Sequence, residues 1–453
     1  MTVAPESSTV KRALSAHAAI GLLAGMLLYI VSLTGTVAVF YEEWQRIEQP
    51  GAPEMASIDP QAIQRGVAAV LASEAGKPRT THLYVHLPVE SLPRATITTD
   101  TQAVHLDAAG AIAAKEEVAW SDFLVELHYI LNIPGVIGIT IVGALGVMML
   151  ALALSGVIAH PRIFRDAFRL RARDGNGLGL ADWHNRLSVW TLPFTVAIAL
   201  TGALIGLASI AGYSVAKLSY GGDLEAVYAP IFGAEGKPDK TAAPVPDIVT
   251  AMAYMKAHHP GLRLTYITLH DPLTAGQHIQ ILGTPERRLI FGEYYNFDAK
   301  GRFIGAAGLS DGALGQQASA STYNLHFGNF GGLPVKILYF VLGLALTGIC
   351  ATGSYIWLGK RRRRGIHEPR LRAMWDAVVW GSPLILAATF ILRKVAGNDV
   401  PLVAIYWLAT AALLLAAYFI PAPRRLEKIL SRSLAAALLL GSALAVGGFV
   451  TAA

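Results

Sequence analysis

Cysteine is almost absent from this chain of 453 residues: there is one, Cys350, inside an apolar stretch. That excludes a disulfide framework, a thiolate-held iron–sulfur cluster and a Cys-x-x-Cys-His attachment site for covalent haem. Charge is scarce as well, with Asp, Glu, Lys and Arg making up 15% of the residues, where a soluble globular chain carries about 25%. With 53% hydrophobic residues and a mean hydropathy of +0.46, much of the molecule must face lipid. A nucleotide cradle is missing: Gly175, Gly177 and Gly179 follow no strand and do not match Gly-x-Gly-x-x-Gly, so they read as a flexible loop. The net charge of +6 does not indicate nucleic acid, because the basic residues sit in short runs beside apolar stretches, where they act as topology signals.

What the chain does have is long apolar runs. A spanning helix needs roughly 20 mainly apolar residues, and seven stretches qualify: 13–41, 127–159, 184–212, 327–358, 374–392, 401–421 and 432–451. The first is longer than the apolar core of a signal peptide and lacks a small-residue cleavage site, so it is expected to stay as an anchor. Lys11 and Arg12, the segment from Arg162 to Arg186, Lys360 to Arg364 with Arg370 and Arg372, and Arg424, Arg425 and Lys428 all fall on one side of the alternating spans. The positive-inside rule makes that side the cytoplasm; only Arg393 and Lys394 lie against it.

The expected fold class is therefore a membrane all-α helical bundle of about seven transmembrane helices with two small α+β periplasmic inserts. The boundaries are 1–41 for the cytoplasmic N-terminus and first span, 42–120 for the first insert, 121–160 for the second span and 161–183 for a cytoplasmic basic loop. They continue with 184–212 for the third span, 213–322 for the second insert, 323–359 for the fourth span, and 360–453 for a basic loop and three more spans. In each insert a helix-like stretch (Pro60–Ala75; Pro246–His258) precedes β-branched or alternating runs at Leu83–Leu87, Ala95–Thr99, Thr265–Leu269 and His278–Leu282.

The order helix, insert, helix occurs twice in the same orientation, as a parallel repeat. His17 precedes Gly35 of Leu33-Thr34-Gly35 by eighteen residues, and His184 precedes Gly202 of Leu200-Thr201-Gly202 by the same interval. Leu127-His128-Tyr129 and Leu325-His326-Phe327 open the second and fourth spans, followed later by the small pairs Ser155-Gly156 and Thr352-Gly353. The repeat thus preserves a histidine at each helix start. Helices in a bundle can place one imidazole on each face of a haem, so His17 with His184, and His128 with His326, are candidate axial ligands of two haems, one near each membrane face. Ligands at opposite ends of a span of 25–30 residues would lie roughly 35–45 Å apart along the helix.

A lone histidine at a helix boundary is more often an interfacial polar residue than a ligand; repetition in pairs is what favours ligation here. His160, just before Pro161, has no counterpart in the fourth span and competes as an inner ligand. His82, His86, His105, His258, His259, His270 and His278 lie in the inserts at spacings that match no compact metal motif. The glycines within spans, Gly138, Gly143, Gly146, Gly343 and Gly348, have two readings: close helix contacts, or room for a flat macrocycle.

These residues resemble the PepSY-associated transmembrane proteins, whose pattern is helix, PepSY insert, helix, repeated, with histidines at the helix starts. The likeness is carried by His17 with Leu33-Thr34-Gly35, Leu127-His128, Ser155 to Arg162, Trp183-His184-Asn185-Arg186 and Leu325 to Gly332, and it covers about residues 10–365. Where relatives typically show His-Arg-Trp, this chain has His17-Ala18-Ala19. The resemblance implies PepSY-like inserts and two non-covalent b-type haems, the inner on His17 and His184 and the outer on His128 and His326. It implies a haem-dependent ferric (siderophore) reductase of a bacterial inner membrane. Its donor would be a cytoplasmic flavoprotein or quinol, and its acceptor a ferric-siderophore or similar iron complex in the periplasm. Two other classes fit the same architecture: a transporter or permease component with periplasmic binding inserts, and a membrane-anchored binding or inhibitory module without haem.

Overall fold

A computed structural model describes residues 8–160, 164, 178–233, 239–285 and 289–452. Most of the expected basic loop 161–183, with Arg162 to Arg173 and with Gly175 and Gly177, lies outside the described residues. The chain divides into two compact units. One gathers the residues up to Tyr41, Ala119–Leu207 and His326–Gly447, and the other gathers Glu42–Val118 and Ala208–Leu325 together with the last six residues.

Among the described residues seven helices are long and apolar enough to cross a membrane: Ser8–Ala38, Val136–Ala159, Leu192–Ser219, Gly332–Arg363, Pro369–Ala396, Leu402–Phe419 and Pro423–Thr451. They agree with the expected spans in number and order. Three are broken near their expected start, and in each case the histidine of interest is set apart on a short preceding helix. The expected span 127–159 is broken between Ala119–Tyr129 and Val136–Ala159, where Leu131 and Asn132 take left-handed φ values of 53° and 56°. Asn tolerates that region, and Pro134 disfavours helical backbone at the residue before it. The expected span 184–212 is interrupted at Thr191, between Leu178–Trp190 and Leu192–Ser219. Pro193 there has no N–H to return to the preceding turn. The fourth span is preceded by Thr322–Phe327 and a glycine-rich turn in which Gly328 and Gly332 have φ of +71° and +63°. The seventh span starts about nine residues earlier than its hydropathy suggests.

The first span packs on the second and fourth, and the fourth packs on Leu178–Trp190. The fifth span contains a π-helical turn, Ala377–Gly381. It is tied to the repeat by two buried hydrogen bonds: Tyr29 Oη donates to the Val379 carbonyl at 2.7 Å and Trp375 Nε1 to the Ala351 carbonyl at 2.9 Å.

In the other unit the two inserts, each expected as a small α+β unit, share one sheet. Each supplies a helix followed by a four-stranded meander. The first is Pro60–Ser73 with β1 (His82–His86), β2 (Ala95–Thr98), β3 (Ala103–Leu106) and β4 (Ile112–Lys115); the second is Ile248–His258 with β5 (Arg263–His270), β6 (His278–Thr284), β7 (Glu293–Phe297) and β8 (Phe303–Ala307). The meanders join edge to edge through an antiparallel β1–β5 pair into one sheet of order β4-β3-β2-β1-β5-β6-β7-β8. A four-stranded sheet with one helix buries little, and it leaves an unpaired edge that would pair with other chains. Joining closes both inner edges and merges the apolar faces into one core, in which Ile63, Val67, Leu83, Val85, Ile248, Met255, Ile267 and Ile281 are each almost fully buried.

Candidate functional site

The first unit brings the four repeat-related histidines together in two pairs. The rings of His17 and His184 have centroids 6.4 Å apart, and those of His128 and His326 6.1 Å apart. Two imidazoles bound through nitrogen to opposite sides of one metal, each bond about 2 Å, have ring centres roughly 6 Å apart. Both pairs therefore have the spacing that a single ion between them requires.

Three of the rings face a hydroxyl on a neighbouring span, and all four lie against a glycine there. His17 Nδ1 lies 3.0 Å from the Leu152 carbonyl and 3.1 Å from Ser155 Oγ. His184 Nδ1 lies 2.9 Å from Thr352 Oγ1, and His326 Nδ1 lies 3.0 Å from Thr201 Oγ1. His128 Nδ1 faces the Val31 carbonyl at 3.0 Å. A carbonyl can only accept. The hydroxyl protons of Thr201 and Thr352 are already directed to the carbonyls of Ala197 and Gly348, at 2.7 and 2.8 Å, so those oxygens offer only lone pairs to the rings. Each Nδ1 must then carry the proton, which leaves Nε2 of the neutral ring with a free lone pair, the form that binds a metal.

The glycines set how close the rings come. An added Cβ would stand 2.5 Å from His128 at Gly35 and 3.0 Å from His326 at Gly202. At Gly156 it would stand 3.4 Å from His17, and at Gly353 3.7 Å from His184. Within each half of the repeat the two spans cradle each other's histidine, and the halves meet ring to ring. The small pairs were visible in the sequence as repeated features, but their role as histidine cradles was not. The signal that could have revealed it is that a hydroxyl residue precedes the glycine in all four.

The outer pair rests against Val31 to Gly35 of the helix that also carries His17, fourteen to eighteen residues along it. At 1.5 Å per residue that is about 21–27 Å, shorter than the 35–45 Å expected from ligands at span ends, because both contacts lie inside the helix Ser8–Ala38, His17 well within its first half. A mainly apolar cavity of about 320 Å³ adjoins the inner pair. His160 stands at its rim, capping the second span, with Nε2 accepting from Asn185 at 3.4 Å; it is not part of either pair.

The span glycines are now separable. Gly143 meets the backbone of Gly206, Gly146 that of Ala199 and Ala203, and Gly343 the side chain of Thr36, so all three are helix contacts. Gly138 packs on the turn at Ile130 and Ile133, and Gly348 borders open space. In the sheet unit, His82, His270 and His278 lie directly opposite one another on β1, β5 and β6. His105 bonds Thr96 at 2.9 Å, and Tyr254 stacks on His258. Among the described residues no three His, Cys, Asp or Glu side chains are arranged to hold a metal ion.

Fold and site together define a multi-pass membrane protein whose spanning repeat presents paired, oriented imidazoles. The PepSY-associated TM region family matches residues 14–360, about three quarters of the chain, and the chain belongs to that family. It is also 28% identical over 270 residues to a Pseudomonas aeruginosa protein described as uncharacterized protein PA4219. That match covers 56% of this chain and 66% of the relative, just under two thirds of the relative's length.

Proposed function

We propose that the chain is a di-haem b-type electron conduit of a bacterial inner membrane. His17 and His184 would hold one haem and His128 and His326 the other, and electrons would reach a ferric-siderophore or similar ferric complex on the periplasmic side. The observation that carries the reading is the duplicated pair: two histidine couples at a separation suited to one metal ion, each ring fixed with Nδ1 donating inward and Nε2 open. A transporter has no need of four imidazoles fixed in one tautomer.

When bound, haem supplies one-electron chemistry, its iron cycling between ferric and ferrous. The protein's part is orientation and environment. The Ser155, Thr201, Thr352 and backbone acceptors keep the rings from turning and raise their basicity as ligands. The glycines admit the rings between spans, and the cavity beside His17 and His184 is mainly apolar. Reduction of ferric iron in an oxygen-donor complex loosens the metal, so delivery of one electron suffices and no proton-transfer dyad is required of the chain.

The test is pyridine-haemochrome quantitation of the detergent-purified full chain, with His128→Ala and His326→Ala variants. About two haems per chain, falling to about one in either variant, is the expected outcome. Folded protein that takes up no haem when haem is supplied would sink the reading and favour the transporter or anchored-module classes.

A further inference from the structure

Next to the inner histidine pair is a second cleft, of about 530 Å³ and lined by both apolar and polar side chains, which the electron path just described does not use. Leu180 borders it one turn from His184 on the same helix, and Ile356 lines both this cleft and the cavity beside His17 and His184. One layer of side chains therefore separates the two. The polar part of the wall is a connected network. Tyr355 Oη donates to Asp376 Oδ1 at 2.8 Å, Arg372 Nε donates to the same carboxylate at 3.0 Å, and Arg372 Nη2 reaches Glu427 at 3.3 Å with its guanidinium 4.2 Å above the Tyr355 ring. Asp376 is fully buried, while Arg372 and Glu427 are more than a third exposed.

We infer that this cleft is a quinol site, in which a membrane-borne quinol gives up electrons to the inner histidine pair and protons to the Tyr355, Asp376 and Glu427 network. The inference rests on the di-haem reading. Arg362, Arg363, Arg372 and His367 line the wall beside Glu368 and Glu427, and Asp376 stands behind it, so the cleft offers both proton acceptors and hydrogen-bond donors. A neutral ring with hydroxyl groups at both ends meets acceptors for its protons and, once oxidised, donors for its carbonyls. Pro369 and Pro423 border the cleft and open two spans, which puts it at the depth where a lipid-borne headgroup arrives.

The reaction balances on these parts. The quinol would break two O–H bonds and become the quinone, and its two electrons would pass one to each of the two haems that the histidine pairs would hold. One proton passes to Glu427, and the other to Tyr355 as that phenol releases its own to Asp376. Asp376, Arg372 and Glu427 all come from beyond residue 360, where the family match ends, so the three added spans would equip the repeat with its own donor site.

The experiment uses the full chain in nanodiscs with decylubiquinone and decylubiquinol as probes. Two readouts are needed: saturable quenching of tryptophan fluorescence by the quinone, and stopped-flow reduction of the haem band by the quinol. Glu427→Gln and Tyr355→Phe are each expected to slow quinol-driven reduction at least tenfold, with haem content and reduction by dithionite unchanged. Glu427 is part exposed, so its variant tests the site without burial of a new group. Unaltered quinol kinetics in both variants, or absence of saturable quenching, overturns the site. So does reduction by a soluble reduced flavin with decylubiquinol inert. Loss of haem from the wild-type chain would instead refute the di-haem reading, and quinone quenching would still report on the cleft.

Discussion

A methyl group on Gly35 would sit 2.5 Å from Cε1 and 2.9 Å from Nδ1 of His128, inside any real contact distance. The ring could yield only by turning, and turning breaks the hydrogen bond to Val31 that orients it. Gly35→Ala is therefore expected to lower haem content to about one per chain while the chain still inserts and folds. Gly353→Ala, where the same methyl stands 3.7 Å from His184, is expected to keep both. Haemochrome quantitation of the two variants side by side checks this. Equal loss in both would mean that the glycines do not act through the rings.

Between elements, small residues set the spacing of spans. A Cβ on Gly143 would meet the Gly206 carbonyl carbon at 2.8 Å, and one on Gly206 would meet Gly143 Cα at 2.6 Å, so the second and third spans touch backbone to backbone. Gly143→Leu cannot be absorbed by a rotamer and must push the helices apart. A destabilisation of about 1–3 kcal/mol is expected, read as a lower thermal midpoint in detergent. Gly348→Leu, facing open space, should leave the midpoint within error. The same scale explains why hydropathy found the spans but not their breaks. Leu131 and Ile133 are as apolar as any span residue, and only the left-handed backbone at Leu131 and Asn132 detaches His128 from the helix that follows.

Across the whole sheet unit, protonation couples to folding. Burial, with the neighbouring His278 and His82, pushes the His270 imidazole down to about 3, and burial with the nearby Arg94 takes His105 down to about 4. The unfolded chain protonates these rings near the ordinary 6.5 and the folded one only well below it. The stability they contribute is thus full above about pH 6.5 and is lost as pH falls from there toward 3, because the unfolded state binds more protons throughout that window. Thermal midpoints measured against pH should fall on acidification, and His270→Gln should flatten the fall. A midpoint that rises toward pH 4 would contradict the burial of these rings.

The sequence determined on its own the seven apolar spans, the duplicated order of helix and insert, and the four histidines singled out by the repeat. Each of these is a local pattern: run length, alternation and interval are properties of neighbouring residues. Half of the strands were legible for the same reason, since β-branched alternation marks β1, β2, β5 and β6, whereas β3, β4, β7 and β8 carry no such period. The tertiary structure decided what depends on residues far apart in the chain. It joined the inserts through the β1–β5 edge, and it set Gly35, Ser155-Gly156, Thr201-Gly202 and Thr352-Gly353 behind the four rings. It left His160 at the rim, and it brought Asp376, Arg372 and Glu427 to Tyr355. Edge pairing, tautomer and ring spacing arise only when distant segments meet, so no interval along the chain encodes them.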